Sequence, residues 1–529
     1  MLQRFIDKLR FDKQDQRFEL LETESGEPKK WSGWTEKKHA AKSKRSEKRR
    51  IKLSKSVDAN EKLIKSVFHA EINSDLIVRR FTLKSGMDAL IVYMNGMALD
   101  STVSEFIMRP LMNEFEAGRG KTAADIIEIG EMNSETDFDN VKQAVLDGKT
   151  ALFIDGEKAF TVIETRGYER RSVSTVDNER IVKGPKEGFT ENLRTNITLI
   201  RRIIRTEDLI VHYAFTGGEN NTRLALVYRK DITNERLVVE IKSRLERIKT
   251  RMLVSTGIIE QLIEDETFSP IPQTLSTERP DRVASFVMQG AAAIFSDGSP
   301  IALVLPSTLA SLMSSPEDAY LRRPLGTVMR SVRYAGALIS VLLPGGFISL
   351  AMYHQGLLST EVLSTVIKSR EMVFEPLPLE MLLLLFVFQL IREAGMRVPG
   401  SIGQAIGVIG GLILGQAAVA ANLASTVILI IVALAGLGNL CIPDYSMQIS
   451  ASYFRMALVI AGWLGGLLAF GSAALLFAAY LANLKSFGVP FLTPFAPKTY
   501  SKRPYVSRGR ISMHRRADDY FNTEEERYE

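Results

Sequence analysis

Histidine, cysteine and paired acidic residues are the usual carriers of covalent and metal chemistry, and in this chain they are scarce or badly spaced for it. The 529 residues include five histidines, none in an HExxH or similar metal-ligating spacing. The one cysteine, Cys441, allows neither an intrachain disulfide nor a cysteine metal site. No GxSxG nucleophile elbow is present. The fragment AGRGKT (117–122) imitates the end of a phosphate-binding loop, but Phe115 stands where the first glycine is required, so an exposed turn is expected. The acidic run ETDFDN (135–140) lacks the ligand spacing of a calcium loop. Neither an enzyme activity nor a metal or cofactor is expected.

The spacing that does stand out suits ion passage. Gly403, Gly407, Gly411 and Gly415 recur every fourth residue in an apolar stretch and form a smooth stripe for close helix packing. Beside it run Gln404, Val408, Leu412 and Gln416. An amide facing hydrocarbon is costly, so both glutamines must face protein or water. Ringed around an axis by several copies, Val408 and Leu412 would form an apolar constriction between two polar rings, a gate that closes by dewetting. Within one copy, the same glutamines would bond neighbouring helices. Arg392, Glu393 and Arg397 stand beside apolar segments, where charges mark function or the bilayer edge. Pro344-Gly345-Gly346 removes a backbone donor inside another apolar segment, a candidate hinge.

The elements that must position these residues fall between 333 and 487. Segments 334–353, 402–421, 425–442 and 456–484 are nearly free of charge and long enough to cross about 30 Å of hydrocarbon, whereas 379–391 is short, bounded by Pro378 and Arg392, and reads as a re-entrant or interfacial helix. The long last segment is expected to tilt, or to break near Gly465-Gly466 or Gly471-Ser472. A mean hydropathy of only +0.02 hides this block because the N-terminal half is polar. Arg322, Arg323, Arg330 and Arg333 precede the first span, and Lys502, Arg503, Arg508, Arg510, Arg515 and Arg516 follow the last. The positive-inside rule then places both flanks, and with them the basic tail 488–529, in the cytoplasm, with an even number of crossings. MLQRFIDKLRFDK is too charged for a signal peptide, which also keeps the N-terminal half in the cytoplasm. Residues 1–60 are rich in lysine and arginine and poor in aliphatics, and read as a flexible arm drawn to anionic lipid; without an aromatic stacking platform, nucleic-acid binding is not expected.

Between arm and membrane the chain repeats itself. VKQAVLDGKTALFIDGEKAFTVI (141–163) aligns without gaps on VASFVMQGAAAIFSDGSPIALVL (283–305), and ALIVYMNG (89–96) resembles LALVYRKD (224–231). Two related α/β subdomains are expected, at 61–170 and 207–321, each with strands, amphipathic helices and an Asp-Gly hairpin. Asp155 and Asp297 are therefore turn residues, not catalytic ones. The segment 171–206 between them carries an Ile/Leu-striped helix with Arg194, Arg201, Arg202 and Arg205, which either packs on both subdomains or meets another subunit or lipid.

This connector, GPKEGFTENLRTNITLIRRII, resembles the signature of the A subunits of the GerA-family spore germinant receptors of endospore-forming bacteria, on Gly184, Pro185, Glu187, Gly188, Phe189, Thr190, Glu191 and Asn192. So do ERPDRVASFVMQGAAAIFSDGSPIALVLP (278–306), SPEDAY (315–320), REAGMRVPGSIGQAIGVIGGLILGQAAV (392–419) and LKSFGVPFLTPFAPK (484–498), in the expected order. The resemblance implies a multi-pass protein of the spore inner membrane. It would act with a transporter-like B subunit that binds the germinant and a lipoprotein C subunit, and self-associate, as a pentamer, into a nutrient-gated channel that releases cations. A direct germinant-binding or transporting subunit and a non-conducting scaffold are the competing readings.

Overall fold

The computed structural model describes residues 53–114, 126–167, 179, 181–217, 219–250, 252–253, 255–373, 375–397, 411, 413, 415–497, 521 and 523. Two successive units share one plan. In the first, α1 (Val57–Val67) leads into β1 (Leu76–Thr82) and β2 (Asp88–Met94). A helical run, Asp100–Thr102, then a π-helical turn, Val103–Met108, then Arg109–Glu114, forms α2. After it come β3 (Met132–Glu135), α3 (Phe138–Leu146), β4 (Thr150–Ile154) and β5 (Phe160–Ile163). The second unit runs α4 (Leu193–Ile203), β6 (Leu209–Thr216), β7 (Thr222–Arg229), α5 (Glu235–Arg247), α6 (Thr256–Ile263), β8 (Leu275–Thr277), α7 (Pro280–Val287), β9 (Ala292–Ser296) and β10 (Ala302–Leu305).

The sheets have the same order, β1-β2-β4-β5-β3 and β6-β7-β9-β10-β8, with every neighbouring pair antiparallel. Successive side chains of a strand leave on opposite faces. Ala89, Ile91 and Tyr93 thus join Val103, Ile107 and Leu111 of α2, while Leu90, Val92 and Met94 join Val57 and Ile64 of α1 and Phe138 and Val141 of α3. With both faces covered, ALIVYM is apolar throughout instead of alternating with polar residues.

The Asp-Gly turns do more than reverse the chain. Gly156 and Gly298 sit at φ 90 and 79, left-handed values that glycine adopts without penalty. The aspartate before each caps the first helix of its own unit: Asp155 Oδ1 accepts from the Val57 N–H at 3.0 Å, and Asp297 Oδ1 from the Leu193 N–H at 3.2 Å. Gly156 N–H donates to the Lys55 carbonyl at 2.9 Å and Gly298 N–H to that of Glu191 at 2.8 Å. α4 is therefore the second unit's counterpart of α1 as well as a connector.

The apolar half follows as α8 (Arg323–Tyr353), α9 (Thr360–Ser369), α10 (Leu377–Arg397), α11 (Thr426–Leu440) and α12 (Tyr445–Asn483). By length and composition α8 and α12 are the two described helices able to cross a membrane, and α11 is a shorter apolar helix. α10 is one continuous helix of 21 residues, longer than the expected 379–391. Pro378 does not bound it, because in a helix's first turn the missing N–H has no acceptor to lose. α12 breaks at Gly465-Gly466, where Gly466 takes φ 61 and ψ −148, a region open only to glycine; Gly471 and Ser472 stay helical. Val341 of α8 and Met447, Ala451 and Leu458 of α12 belong to the same buried cluster as Val211, Val227 and Phe295 of the second unit, so its core runs into the bases of these helices.

Candidate functional site

The signature residues build the joint between the two units. Asn192 caps α4, its Oδ1 accepting from the N–H groups of Arg194 (2.9 Å) and Thr195 (3.2 Å). Asn196, on the first turn, ties back to Thr190, accepting its N–H at 2.8 Å and donating to its carbonyl at 2.6 Å. Asn60 does the same with Ser54 in the first unit. Phe189 is buried edge-on against Phe295, with ring centroids 5.1 Å apart, and its N–H donates to the Glu278 carbonyl. The Pro185 carbonyl accepts from Arg279 Nη2 at 2.8 Å, and a Cβ on Gly184 would strike Ile181 and Tyr320. Gly188 is buried, whereas Glu187 is exposed and pairs loosely with Arg202.

From this anchored start α4 reaches across to the first unit. Arg201 Nε and Nη2 grip Asp75 at 2.8 and 2.9 Å, with 2% and 0% of the two side chains exposed. Thr198 Oγ1 donates to the Gly96 carbonyl at 3.1 Å, Arg194 reaches Asp100, and Arg205 pairs with Asp147 at 2.9 Å. Of the two readings of the connector, its arginines thus meet this chain's own carboxylates and carbonyls.

A second run of contacts leads from the connector to the base of α8. Glu179 pairs with Arg282 of α7, whose Nη2 also donates to the carbonyls of Ser311 (3.3 Å) and Ser314 (2.9 Å). Arg279 grips Asp281, which accepts from the Tyr320 hydroxyl at 2.6 Å; burial and Asp281 push that phenol up to about 12. Two residues before Tyr320, Asp318 receives Arg330 Nε at 3.0 Å and Arg333 Nη1 at 2.9 Å. Burial alone would raise the Asp318 pKa, but Arg333 and Arg330 hold it below the ordinary carboxylate range.

The far end of α12 returns to the same unit. Tyr480 donates to Ser269 Oγ at 2.7 Å. Next, the hairpin β11 (Lys485–Ser486) and β12 (Val489–Pro490) seats Phe487, Val489 and Phe491 in buried positions, with Ser486 Oγ donating to the Gln273 carbonyl at 2.6 Å and Leu309 N–H to that of Phe491 at 2.8 Å. The start of α8 and the end of α12 therefore meet one soluble unit. Phe521 of the tail is also buried in this unit's core cluster.

Beside this hairpin, burial, with Glu260 and Asp265 nearby, pushes the Glu264 carboxyl up to about 7 even though its Oε1 accepts from the Gln273 N–H at 2.9 Å. The folded chain therefore keeps a proton between about pH 4.5 and 7 that the unfolded chain releases, and stability falls as pH rises through that window. Discounted for partial exposure, the loss is about 1–2 kcal/mol. Melting of the soluble units should move to lower temperature between pH 5 and pH 8, and Glu264→Gln, which keeps the acceptor, should flatten the profile. An equally steep profile in that variant would rule the assignment out.

Among the residues singled out for ion passage, Gly403, Gln404, Gly407, Val408 and Leu412 lie outside the described residues, as does the side chain of Arg397. Gly411 and Gln416 are exposed and Gly415 half-buried, with 415–420 helical. Pro344-Gly345-Gly346 lies within continuous α8, and at Gly345 α12 comes so close that a Cβ would stand 2.7 Å from the Leu458 carbonyl oxygen. The charges that sequence reasoning missed are Asp318, Glu179, Glu380 and Arg455. Glu380 is buried, accepts from the Ser425 N–H that opens α11, and pairs with Arg370 at 3.3 Å. Arg455 directly precedes the apolar run from Met456, and that position was its signal.

Known proteins resemble this chain in sequence. A family model described as Bacillus/Clostridium GerA spore germination protein matches residues 62–520. Spore germination protein GerLA of Bacillus cereus is 35% identical over 432 residues, covering 81% of this chain and 88% of its own length. Spore germination protein KA of Bacillus subtilis is 33% identical over 431 residues, covering 80% and 79%. The crystal structure of the N-terminal domain of the A subunit of the Bacillus megaterium spore germinant receptor GerK3 is 28% identical, covering 48% of this chain and 96% of that one, at a TM-score of 0.38. With a match that spans both soluble units and the apolar helices, this chain belongs to the GerA family of spore germination proteins.

Proposed function

We propose that this chain is the A subunit of a nutrient-responsive germinant receptor and that several copies, as a pentamer, line a gated channel in the spore inner membrane whose opening releases cations and starts germination. The B subunit would bind the germinant and the C subunit complete the receptor. The observation that carries the reading is a run of separate clasps on the second unit: Arg201 on Asp75 of the first unit, Arg279 on Asp281 with Tyr320, and Asp318 on Arg330 and Arg333 at the base of α8. Such a run lets a shift between the soluble units tilt a membrane helix. Attachment of both ends of the apolar half to one unit favours an even number of crossings with both termini in the cytoplasm.

Binding elsewhere in the receptor would then shift a closed–open equilibrium of the ring, and the Val408/Leu412 constriction would widen and wet. Ion release from dormant spores tests this. With Leu412→Ala or Leu412→Ser, release is expected without nutrient, and purified chain reconstituted in vesicles should pass monovalent cations. Unchanged dormancy and a normal nutrient response in substitutions at Gln404, Val408, Leu412 and Gln416 would discard the pore.

A further inference from the structure

Two guanidinium groups among the apolar helices face no carboxylate of the described residues. Arg455 of α12 is 0% exposed; its Nη1 donates to Ser340 Oγ (3.1 Å) and the Ala435 carbonyl (3.5 Å), its Nη2 to Ser452 Oγ (3.3 Å), and its Nε to nothing. Arg392 of α10 is half-buried and near enough for its charge to act on Arg455. With the Asn439 amide turned so that both its atoms are satisfied, its oxygen accepts from Arg392 Nη1 at 2.7 Å and its nitrogen donates to the Gln448 carbonyl at 3.2 Å. Arg392 Nε and Nη2 remain buried without a partner, and so does Gln389 Oε1 one turn earlier.

The vacant edge has a specific chemistry. Nε and Nη2 form the side of a guanidinium that grips two oxygens at once, and this chain uses that side for Arg201 on Asp75 and for Arg279 on Asp281. In Arg392 the same fork is empty. Two un-neutralised charges at low dielectric are costly unless an anion meets them. A carboxylate on the fork would have both oxygens engaged, whereas Arg455 Nε offers a further donor that suits a third oxygen, and Gln389 Oε1 suits a hydroxyl. Depth agrees with a headgroup. Ser340 lies seven residues beyond Arg333, which is held by Asp318 at the soluble unit, or roughly 10 Å along the helix.

We propose that Arg392, Arg455 and Asn439 form a site for a phosphate-class oxyanion from outside the chain, either the phosphodiester of an anionic lipid on the side of the soluble units or free phosphate. The lipid source rests on α8 and α12 spanning the membrane, which incorporation of the full chain into nanodiscs checks separately.

The test is thermal melting of that full chain in phosphatidylcholine nanodiscs, alone, with phosphatidylglycerol, or with millimolar inorganic phosphate. Wild type should gain about 3 °C or more with at least one addition. A response to phosphatidylglycerol alone identifies the lipid, and a response to phosphate identifies the free anion. High salt, which shortens screening to about 3 Å, should silence exposed basic residues but not the buried fork. Arg392→Gln removes an un-neutralised charge and should keep its stability in phosphatidylcholine while losing the response. Arg392→Lys keeps the charge but not the fork and should lose most of it, which provides the readout should the glutamine variant fold poorly. The proposal is overturned if wild type responds to neither addition, which would leave a partner's carboxylate as the counter-charge. It is equally overturned if the variants respond like wild type, or if their difference from it vanishes at high salt.

Discussion

Replacing Arg201 with alanine should loosen the two soluble units from each other and destabilise them by about 3–5 kcal/mol, the range for breaking a buried ion pair from one side. The guanidinium meets Asp75 through two bonds, the carbonyls of Leu209 (2.7 Å) and Thr206 (3.3 Å), and Asn73 Oδ1 (3.3 Å). Its loss would strand a carboxylate with no exposed surface and take one donor from each of the Leu209 and Thr206 carbonyls. Asp75→Ala should be as harmful for the converse reason, an unpaired buried cation. The pair itself contributes little beyond what apolar residues of similar volume would, so Asp75→Leu combined with Arg201→Met should recover more than half of the loss. Denaturant midpoints of the soluble units and the rate of proteolysis between them measure these effects. A loss under about 1 kcal/mol in Arg201→Ala would show that the units are joined elsewhere.

How far this joint was legible follows from which residues recur. The helix–strand–turn–strand half of the repeat shares Val141/Val283, Gly148/Gly290 and Gly156/Gly298, because each glycine sits at positive φ and each valine faces the sheet. The first helix of each unit went unseen as part of the repeat. It shares only Asn60, Leu63 and Ile64 with Asn196, Leu199 and Ile200, and one copy lies against a lysine-rich arm while the other resembles a linker. That spacing was the available signal, since each asparagine folds back on the chain before its helix. The Asp318 clasp was hidden for another reason. Arg330 and Arg333 were legible as charges that precede an apolar segment, but their acceptor lies in SPEDAY, and no periodicity ties an acidic residue in a short turn to a helix 12 to 15 residues later. The residues proposed for ion passage carry a reading from spacing alone, for most of them lie outside the described residues.

The crossing of α8 and α12 leads to the other large effect. A Cβ on Gly462 would stand 2.6 Å from the Gly345 carbonyl oxygen and from Ser349 Oγ, and one on Gly345 would stand 2.7 Å from the Leu458 carbonyl oxygen. Backbone atoms cannot rotate out of the way, so the helices themselves would have to part. In an exposed helix, glycine to alanine gains about 0.5–1 kcal/mol from reduced chain entropy. Gly462→Ala should reverse that sign and lose about 1–3 kcal/mol, and Gly462→Leu should lose more and lower the amount of folded protein recovered from membranes. Gly471 supplies the control on the same helix, because nothing lies within 4 Å of its missing Cβ, and Gly471→Ala should be neutral or stabilising. Parting the helices at Gly462 would also pull Ser340 from Arg455, since the two sit on the facing surfaces of α8 and α12. Melting temperatures in detergent for the two alanine variants decide the matter. If Gly462→Ala melts no lower than Gly471→Ala, the crossing is looser than these contacts require, and a signal reaching the base of α8 would not be passed rigidly to α12.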